Sequence, residues 1–236
     1  MKLSIIIPLF NEATTILKVL DRLIKIRYPN EVESWEIVIV NDCSTDNSKH
    51  IVESYIEKYN NIYLINHTEN MGKGKCIRTA AAKINGTVLL IQDADLELYP
   101  EDIPLMINAM TKMDLLFVNG SRYMPGVIRP LYAYNRYLGN KFFSLLTSLL
   151  INVRITDMAC GYKLINKKLF DQINPQENRF AIEAELILKA LKIQKNIITE
   201  VPVQYVPRNA GDGKKFKSSD AFKILWSIIK IGLFSK

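Results

Sequence analysis

The sequence predicts an α/β protein built on a mostly parallel central sheet, with helices on both faces. Short β-rich runs alternate with segments of helical apolar spacing from the first residue onward. Polar clusters follow several strand-like runs, and in such sheets ligands bind beyond the carboxyl ends of the strands. After about residue 118 the alternation gives way to aromatic and aliphatic amphipathic segments.

Residues 3–7 read as the first strand, and 12–27 as a helix with Ile16, Val19, Leu20, Leu23 and Ile24 at helical spacing. Residues 36–40 are a strand, and Ser44 is expected to cap a helix over 45–59. A strand at 62–65, a helix at 73–83 and a strand at 87–91 continue the pattern. Tyr99-Pro100-Glu101-Asp102 opens the next helix, with proline and acidic residues where a helix start favours them. A strand is expected at 115–118, a helix at 183–191 and a strand at 197–203. Asn11-Glu12, Asn41-Asp42, Asn70-Met71-Gly72 and Asp93-Ala94-Asp95 fall at strand ends on one edge, which marks a site.

A chain of 236 residues can bury a sizeable core as one domain, and 48% apolar with 23% charged residues is ordinary globular composition. The formal net charge of +7 points to an anionic partner. Residues 207–236 hold seven Lys/Arg and two Asp in an otherwise apolar stretch, a poor fit to nucleic-acid binding. The three cysteines (Cys43, Cys76, Cys160) show neither metal spacing nor a disulfide framework, so a reducing compartment fits. With two histidines, a His-based dyad or a zinc site is disfavoured. No stretch reaches the roughly 18–20 apolar residues that span a bilayer, and the N-terminal apolar run is too short for a signal-peptide core. A cytoplasmic protein is expected.

Asp93, Asp95 and Glu97 crowd the end of an apolar run, and like charges that close repel unless something cationic joins them. Clustered carboxylates hold Mg²⁺ or Mn²⁺, whereas Glu101 and Asp102 are explained as helix-start residues. Asp42 either belongs to a helix-capping loop or accepts hydrogen bonds from a nucleoside. The stretch Asn70-Met71-Gly72-Lys73-Gly74-Lys75 is either a turn or a phosphate cradle at a helix start, and it lacks P-loop spacing. Arg122 and Arg136 beside an apolar, aromatic segment suit an amphiphilic anion. The amphipathic stretches at 132–153 and 219–234 pack on the core or lie in a membrane interface.

Together IIIPLFNE, VNDCSTDNS, NMGKGKCIRTA, LLIQDADLELYPEDI, NGSRY, YLGNKFFSLLTSLL, TDMACGYKLI and ENRFAIEAEL resemble glycosyltransferase family 2. The similarity is to its dolichyl-phosphate mannosyltransferase and polyprenyl-phosphate glycosyltransferase branch. It covers about the first 210 residues in family order. The resemblance implies a GT-A catalytic domain over 1–210, with an interfacial helical segment at about 130–153, while residues 211–236 are expected from their basic and apolar pattern to form a separate amphipathic helix. By position it implies that Pro8, Phe10, Glu12 and Asp42 line the nucleoside pocket. Gly72, Lys73, Asp93 and Ala94 would complete the donor site, and Asp93 and Asp95 would hold Mg²⁺ or Mn²⁺. Glu97 falls where some relatives place Gln as a further ligand. Arg122 and Arg136 match arginines that bind the lipid phosphate.

The expected reaction transfers a hexose from GDP-mannose or a UDP-glucose type donor to a dolichyl or polyprenyl phosphate, with inversion. Such a phosphate is ionised at neutral pH, with a second pKa near about 6, and needs no general base. The enzyme would sit peripherally on the cytosolic face of a membrane, reached through amphipathic helices or a membrane-anchoring subunit. A saccharide or glycolipid hydroxyl acceptor would need a base, and Glu183 or Glu185 would be the candidates. No QxxRW signature of processive synthases surrounds Trp35 or Trp226. A non-catalytic nucleotide-binding scaffold on the membrane surface is the third reading.

Overall fold

The computed structural model describes residues 1–125, 127, 134–195, 197–208 and 218–234, and of residues 135, 136, 218, 219 and 234 the backbone alone. Residues 130–133 of the expected interfacial segment and 211–217 of the expected terminal segment lie outside the described residues.

The strands are β1 (Lys2–Leu9), β2 (Ser34–Asn41), β3 (Ile62–Asn66), β4 (Val88–Ile91), β5 (Phe117–Ser121), β6 (Lys163–Asn166) and β7 (Thr199–Pro202). They form a sheet of order β3-β2-β1-β4-β6-β5-β7. All neighbouring pairs are parallel except those of β6, which runs antiparallel to both β4 and β5. The expected mostly parallel sheet is therefore the sheet found.

Period-two alternation explains the two cores. Val38 and Val40 of β2 and Leu89 and Ile91 of β4 face one side, where they meet α3 (Lys73–Ala81), α6 (Lys167–Ile173) and α7 (Ile182–Ile193). Ile37, Ile39 and Leu90 face the other, against α1 (Ile16–Ile24) and α4 (Ile103–Lys112). The remaining helices are α2 (Ser48–Ile56), α5 (Tyr134–Ile151) and α8 (Ser218–Ile229), which continues as a π-helix over Lys230–Phe234. Ile224, Ile228 and Ile231 anchor this last element in the first core, each buried side chain contributing roughly 1.5–3 kcal/mol.

Two boundaries differ from the sequence expectation. α1 starts at Ile16 rather than residue 12, and α2 at Ser48 with Asn47 as its cap position. Ser44 instead accepts a hydrogen bond from the Asn11 backbone N–H, so it ties one loop to another. The short pair β6–α6 went unread because its strand begins with a lysine, Lys163, which disguises a buried position as a polar one.

Candidate active site

The loops after β1 and β2 lock together first. Asn11 adopts a left-handed backbone (φ 50°), and its Oδ1 accepts from Thr45 N at 2.7 Å and Asp46 N at 3.3 Å. Ser48 Oγ accepts from Glu12 N at 2.8 Å, which fixes the start of the glutamate. Asp42, at the β2 end, is buried, and its two oxygens accept from Met71 N (2.9 Å) and Gly72 N (2.7 Å). Gly72 has φ +91°, where an L side chain is strained, and any Cβ would meet the Asn178 carbonyl oxygen. His67 Nδ1 lies 2.8 Å from Asp42 Oδ1, and its Nε2 lies 2.9 Å from Thr79 Oγ1. Asp42 thus shapes the glycine turn that opens α3.

The β4 end carries the acidic cluster. Arg208, the last residue of the described stretch 197–208, reaches into it. Its guanidinium meets Glu12 at 3.0 Å, Asp95 at 2.8 Å and Glu97 at 3.6 Å. Glu97 also accepts from the Arg208 backbone N–H at 3.0 Å and from Tyr205 Oη at 3.1 Å. The segment 205–208 therefore straps across the cluster. With Asn11, Thr14, Thr15 and Leu96 it lines a cleft of about 500 Å³. Burial, then the Asp93 and Glu97 charges, push Asp95 up to about 7 against the opposing Arg208. Burial also acts to raise Asp93, but Lys73 and, farther off, Lys163 and Arg122 hold it below the usual carboxylate range.

Behind Asp93 runs a buried series of alternating charges. Lys73 Nζ lies 2.6 Å from Asp93 Oδ1 and 2.7 Å from Glu183 Oε1. Glu183 Oε2 lies 2.6 Å from Lys163 Nζ. Burial disfavours the Lys73 ammonium, yet Asp93 and Glu183 outweigh it and its pKa is raised. Gly161 makes room for this arrangement, since a Cβ there would run into Asp93 Oδ2. Glu185 is also engaged: it accepts from Gln176 N and Glu177 N and pairs with Lys189 at 2.6 Å.

Arg122 follows β5 and grips the buried Asp157 in bidentate fashion, Nε to Oδ2 at 2.7 Å and Nη2 to Oδ1 at 2.9 Å. Tyr205 and Tyr123 stack near its guanidinium at 4.9 and 5.7 Å. Burial acts to raise the Asp157 carboxyl, but Arg122 holds it below the ordinary range. Asn140 of α5 donates to Asp157 at 2.9 Å, and Ser144 and Ser148 of the same helix accept from Met158 N and Ile155 N. On the inward side of α5, Asn140, Ser144 and Thr147 are buried beside Ile151, and Phe143, Leu146 and Leu150 are partly buried against the first core. Its outward face is apolar: Tyr134, Leu138, Phe142, Leu145 and Leu149 are exposed. Apolar residues thus lie on both the covered and the exposed sides of α5, unlike those of a helix packed on a core and bathed in water.

The expected site residues fall as follows. Glu12, Asp95 and Glu97 converge on Arg208, and Lys73 joins Asp93. Asp42 and Gly72 meet in the turn before α3. Pro8 lies in β1 opposite Val40, Phe10 is half-buried beyond it, and Ala94 is buried between the aspartates. Arg122 stands on Asp157, whereas the Arg136 side chain lies outside the described residues. Sequence reasoning missed Arg208, Lys163, His67 and Asp157. Asp157 is signalled only as a lone acid in TDMACGYK, and Arg208 is one of seven cations in a tail whose sequence does not single it out.

Two groups of side chains differ in the ion they suit. Asp42, His67 and Cys76 bring one ligand atom each within 4.8 Å of one another, a mixed set with thiol and imidazole donors. Burial, followed by Asp42, raises the Cys76 thiol, and every Asp42 oxygen already accepts a backbone N–H. Asp93, Asp95 and Glu97 offer oxygen alone, the donors that Mg²⁺ and Mn²⁺ take. Excess negative charge there is offset by a guanidinium, so the chemistry of the donor set fits a hard divalent cation.

A family model described as glycosyl transferase family 2 matches residues 4–173. A dolichyl-phosphate beta-glucosyltransferase of Trichomonas vaginalis is 31% identical over 99% of this chain and 74% of its own length. The dolichol-phosphate mannosyltransferase of Saccharomyces cerevisiae is 27% identical over 89% of this chain and 80% of its own. Among solved structures, glucosyl-3-phosphoglycerate synthase from Mycobacterium tuberculosis with Mn²⁺, UDP and phosphoglyceric acid superposes with a TM-score of 0.74. It covers 98% of this chain and 78% of that one, and at 15% identity it shows the shared GT-A fold. This chain belongs to glycosyl transferase family 2 and is a glycosyltransferase.

Proposed function

We propose that the protein transfers a hexose from a nucleotide sugar to a dolichyl or polyprenyl phosphate, with inversion and with Mg²⁺ or Mn²⁺ on Asp93 and Asp95. The observation that carries the acceptor class is the engagement of both base candidates. Glu183 lies between two lysines, and Glu185 accepts two backbone N–H groups and pairs with Lys189. Neither carboxylate is placed to deprotonate a hydroxyl. An acceptor that arrives ionised fits, and the names of the relatives support it.

In this reading the phosphate oxygen forms its bond to the anomeric carbon as the bond to the nucleoside diphosphate breaks. No proton changes hands. A divalent cation, when bound, offsets the charge that grows on the leaving diphosphate. Arg122 offsets the approach of one anion to another; Asp157 engages its Nε and Nη2 and not its Nη1, which is left to the lipid phosphate. Arg136, in the first turn of α5, is assigned the same role on sequence grounds. Lys73 and the Gly72 turn face the donor phosphates.

Membrane contact is part of the proposal. No helix among the described residues is long and apolar enough to cross a membrane. The exposed apolar residues of α5 support an apolar medium on its outer side, and Asn140 on its inner side donates to Asp157, which holds Arg122. On α8, Phe222 and Trp226 are 75% and 65% exposed, with lysines 223 and 230 beside them. The lipid phosphate would then meet Arg122 where the helix meets the interface, on the cytosolic face and directly or through an anchoring subunit.

Radiolabelled GDP-mannose and UDP-glucose, each offered with polyprenyl phosphate, test the reaction. Label in the lipid phase, absent without divalent cation, is the expected outcome; transfer to a free hydroxyl alone would overturn it. Phe222→Ser with Trp226→Ser is expected to weaken sedimentation with anionic liposomes and to spare transfer to a short water-soluble acceptor.

A further inference from the structure

Among the described residues Lys163 is the only fully buried lysine or arginine, and the reaction as derived does not use it. It opens β6 opposite Ile91 and Asn119, one residue short of the acidic loop on one side. Its ammonium donates to the carbonyl oxygens of Cys160 (2.5 Å) and Met158 (3.5 Å) and pairs with Glu183 at 2.6 Å. The loop it caps carries Asp157, which holds Arg122, and Gly161, which makes space for Asp93. A buried ammonium is costly unless fully partnered, so a lysine here asks for a reason.

The reason lies in the sequence of charges. Lys163, Glu183, Lys73 and Asp93 alternate in sign and sum to zero. Without Lys163, Glu183 would compete with Asp93 for the single ammonium of Lys73. We propose that Lys163 is a positioning residue: it neutralises Glu183, so that Lys73 is held on Asp93, and it fixes the loop behind Arg122. The idea rests on the transferase reading for its kinetic consequence and not for its electrostatic one.

The test compares Lys163→Met, Glu183→Gln and the double variant with wild type. Mn²⁺ affinity is read by electron paramagnetic resonance without nucleotide, alongside kcat, donor KM and thermal unfolding. Lys163→Met should bind Mn²⁺ severalfold more tightly, because Lys73 is drawn off Asp93, and should lose at least tenfold in kcat/KM. Glu183→Gln should bind Mn²⁺ severalfold more weakly. The double variant should return Mn²⁺ affinity to within about twofold of wild type and recover most of the activity, which a lysine serving stability alone would not predict. A double variant no closer to wild type than either single one, or an unchanged Lys163→Met, overturns the proposal. Should Lys163→Met fail to fold, restoration of Mn²⁺ affinity between Glu183→Gln and the double variant decides it. Should wild type label no lipid phosphate, the transferase reading fails while the Mn²⁺ arm still decides the role of Lys163.

Discussion

Two carboxylate groups stand beyond the carboxyl ends of β2 and β4, with β1 between those strands, and their surroundings separate them. Asp42, after β2, is satisfied by backbone N–H groups from the glycine turn and by His67, all parts of the fold itself. Asp95, after β4, accepts the Glu97 N–H on one oxygen and on the other has, among the described residues, a single cation, Arg208, shared with Glu12 and Glu97. Backbone hydrogen bonds cannot be exchanged without refolding, whereas a guanidinium on a strap can be exchanged for another cation. The first carboxylate shapes the glycine turn, and the second is the one to which the proposal assigns the cation.

The sharpest break would come from substitution at both positions. Asp95→Asn is expected to lower transfer roughly 10²-fold or more, as removal of an electrostatic partner of a developing charge does, and to abolish tight Mn²⁺ binding. Asp42→Asn should instead leave Mn²⁺ affinity unchanged. It should cost about 1–3 kcal/mol of stability, because a buried N–H of the turn loses its acceptor, and thermal unfolding would show it. Reversal of those two outcomes would dissolve the distinction.

pH sharpens it further. Asp95 is raised in the folded state to about 7, from an ordinary value of 3.8. A raised carboxyl contributes stability below its unfolded pKa and loses it as pH rises through the folded one. The metal-free protein should therefore lose stability between about pH 4 and pH 7, and Asp95→Asn should flatten that slope. Mn²⁺ should bind more weakly as pH falls below about 7, since the proton and the ion compete. The smallest effect is expected from Arg208→Gln. It should tighten Mn²⁺ binding severalfold, read by the same resonance titration, and lower the unfolding temperature of the metal-free protein.

Legibility followed chemistry of the backbone more than of the side chains. Strands β1 to β4 and the acids after them could be read because parallel strands are apolar throughout and polar residues mark where they stop. Lys163 resisted reading because a fully buried charge looks like a surface one until its partners are known. Arg208 resisted it because its partners, Glu12 and Asp95, precede it by more than a hundred residues. Glu183 was placed by sequence as a candidate base, and only the two lysines beside it argue otherwise.

By itself the sequence determined the α/β class, the edge on which the site lies, the acidic cluster and the membership in glycosyl transferase family 2. Those depend on periodicity, strand ends and local motifs, all of which are written along the chain. Tertiary structure alone decided which cation meets which anion, and that α5 leaves Leu138, Phe142, Leu145 and Leu149 exposed. Pairing depends on distance in space across a low-dielectric interior, where a shift of a few ångströms changes the partner, and no spacing along a chain records it.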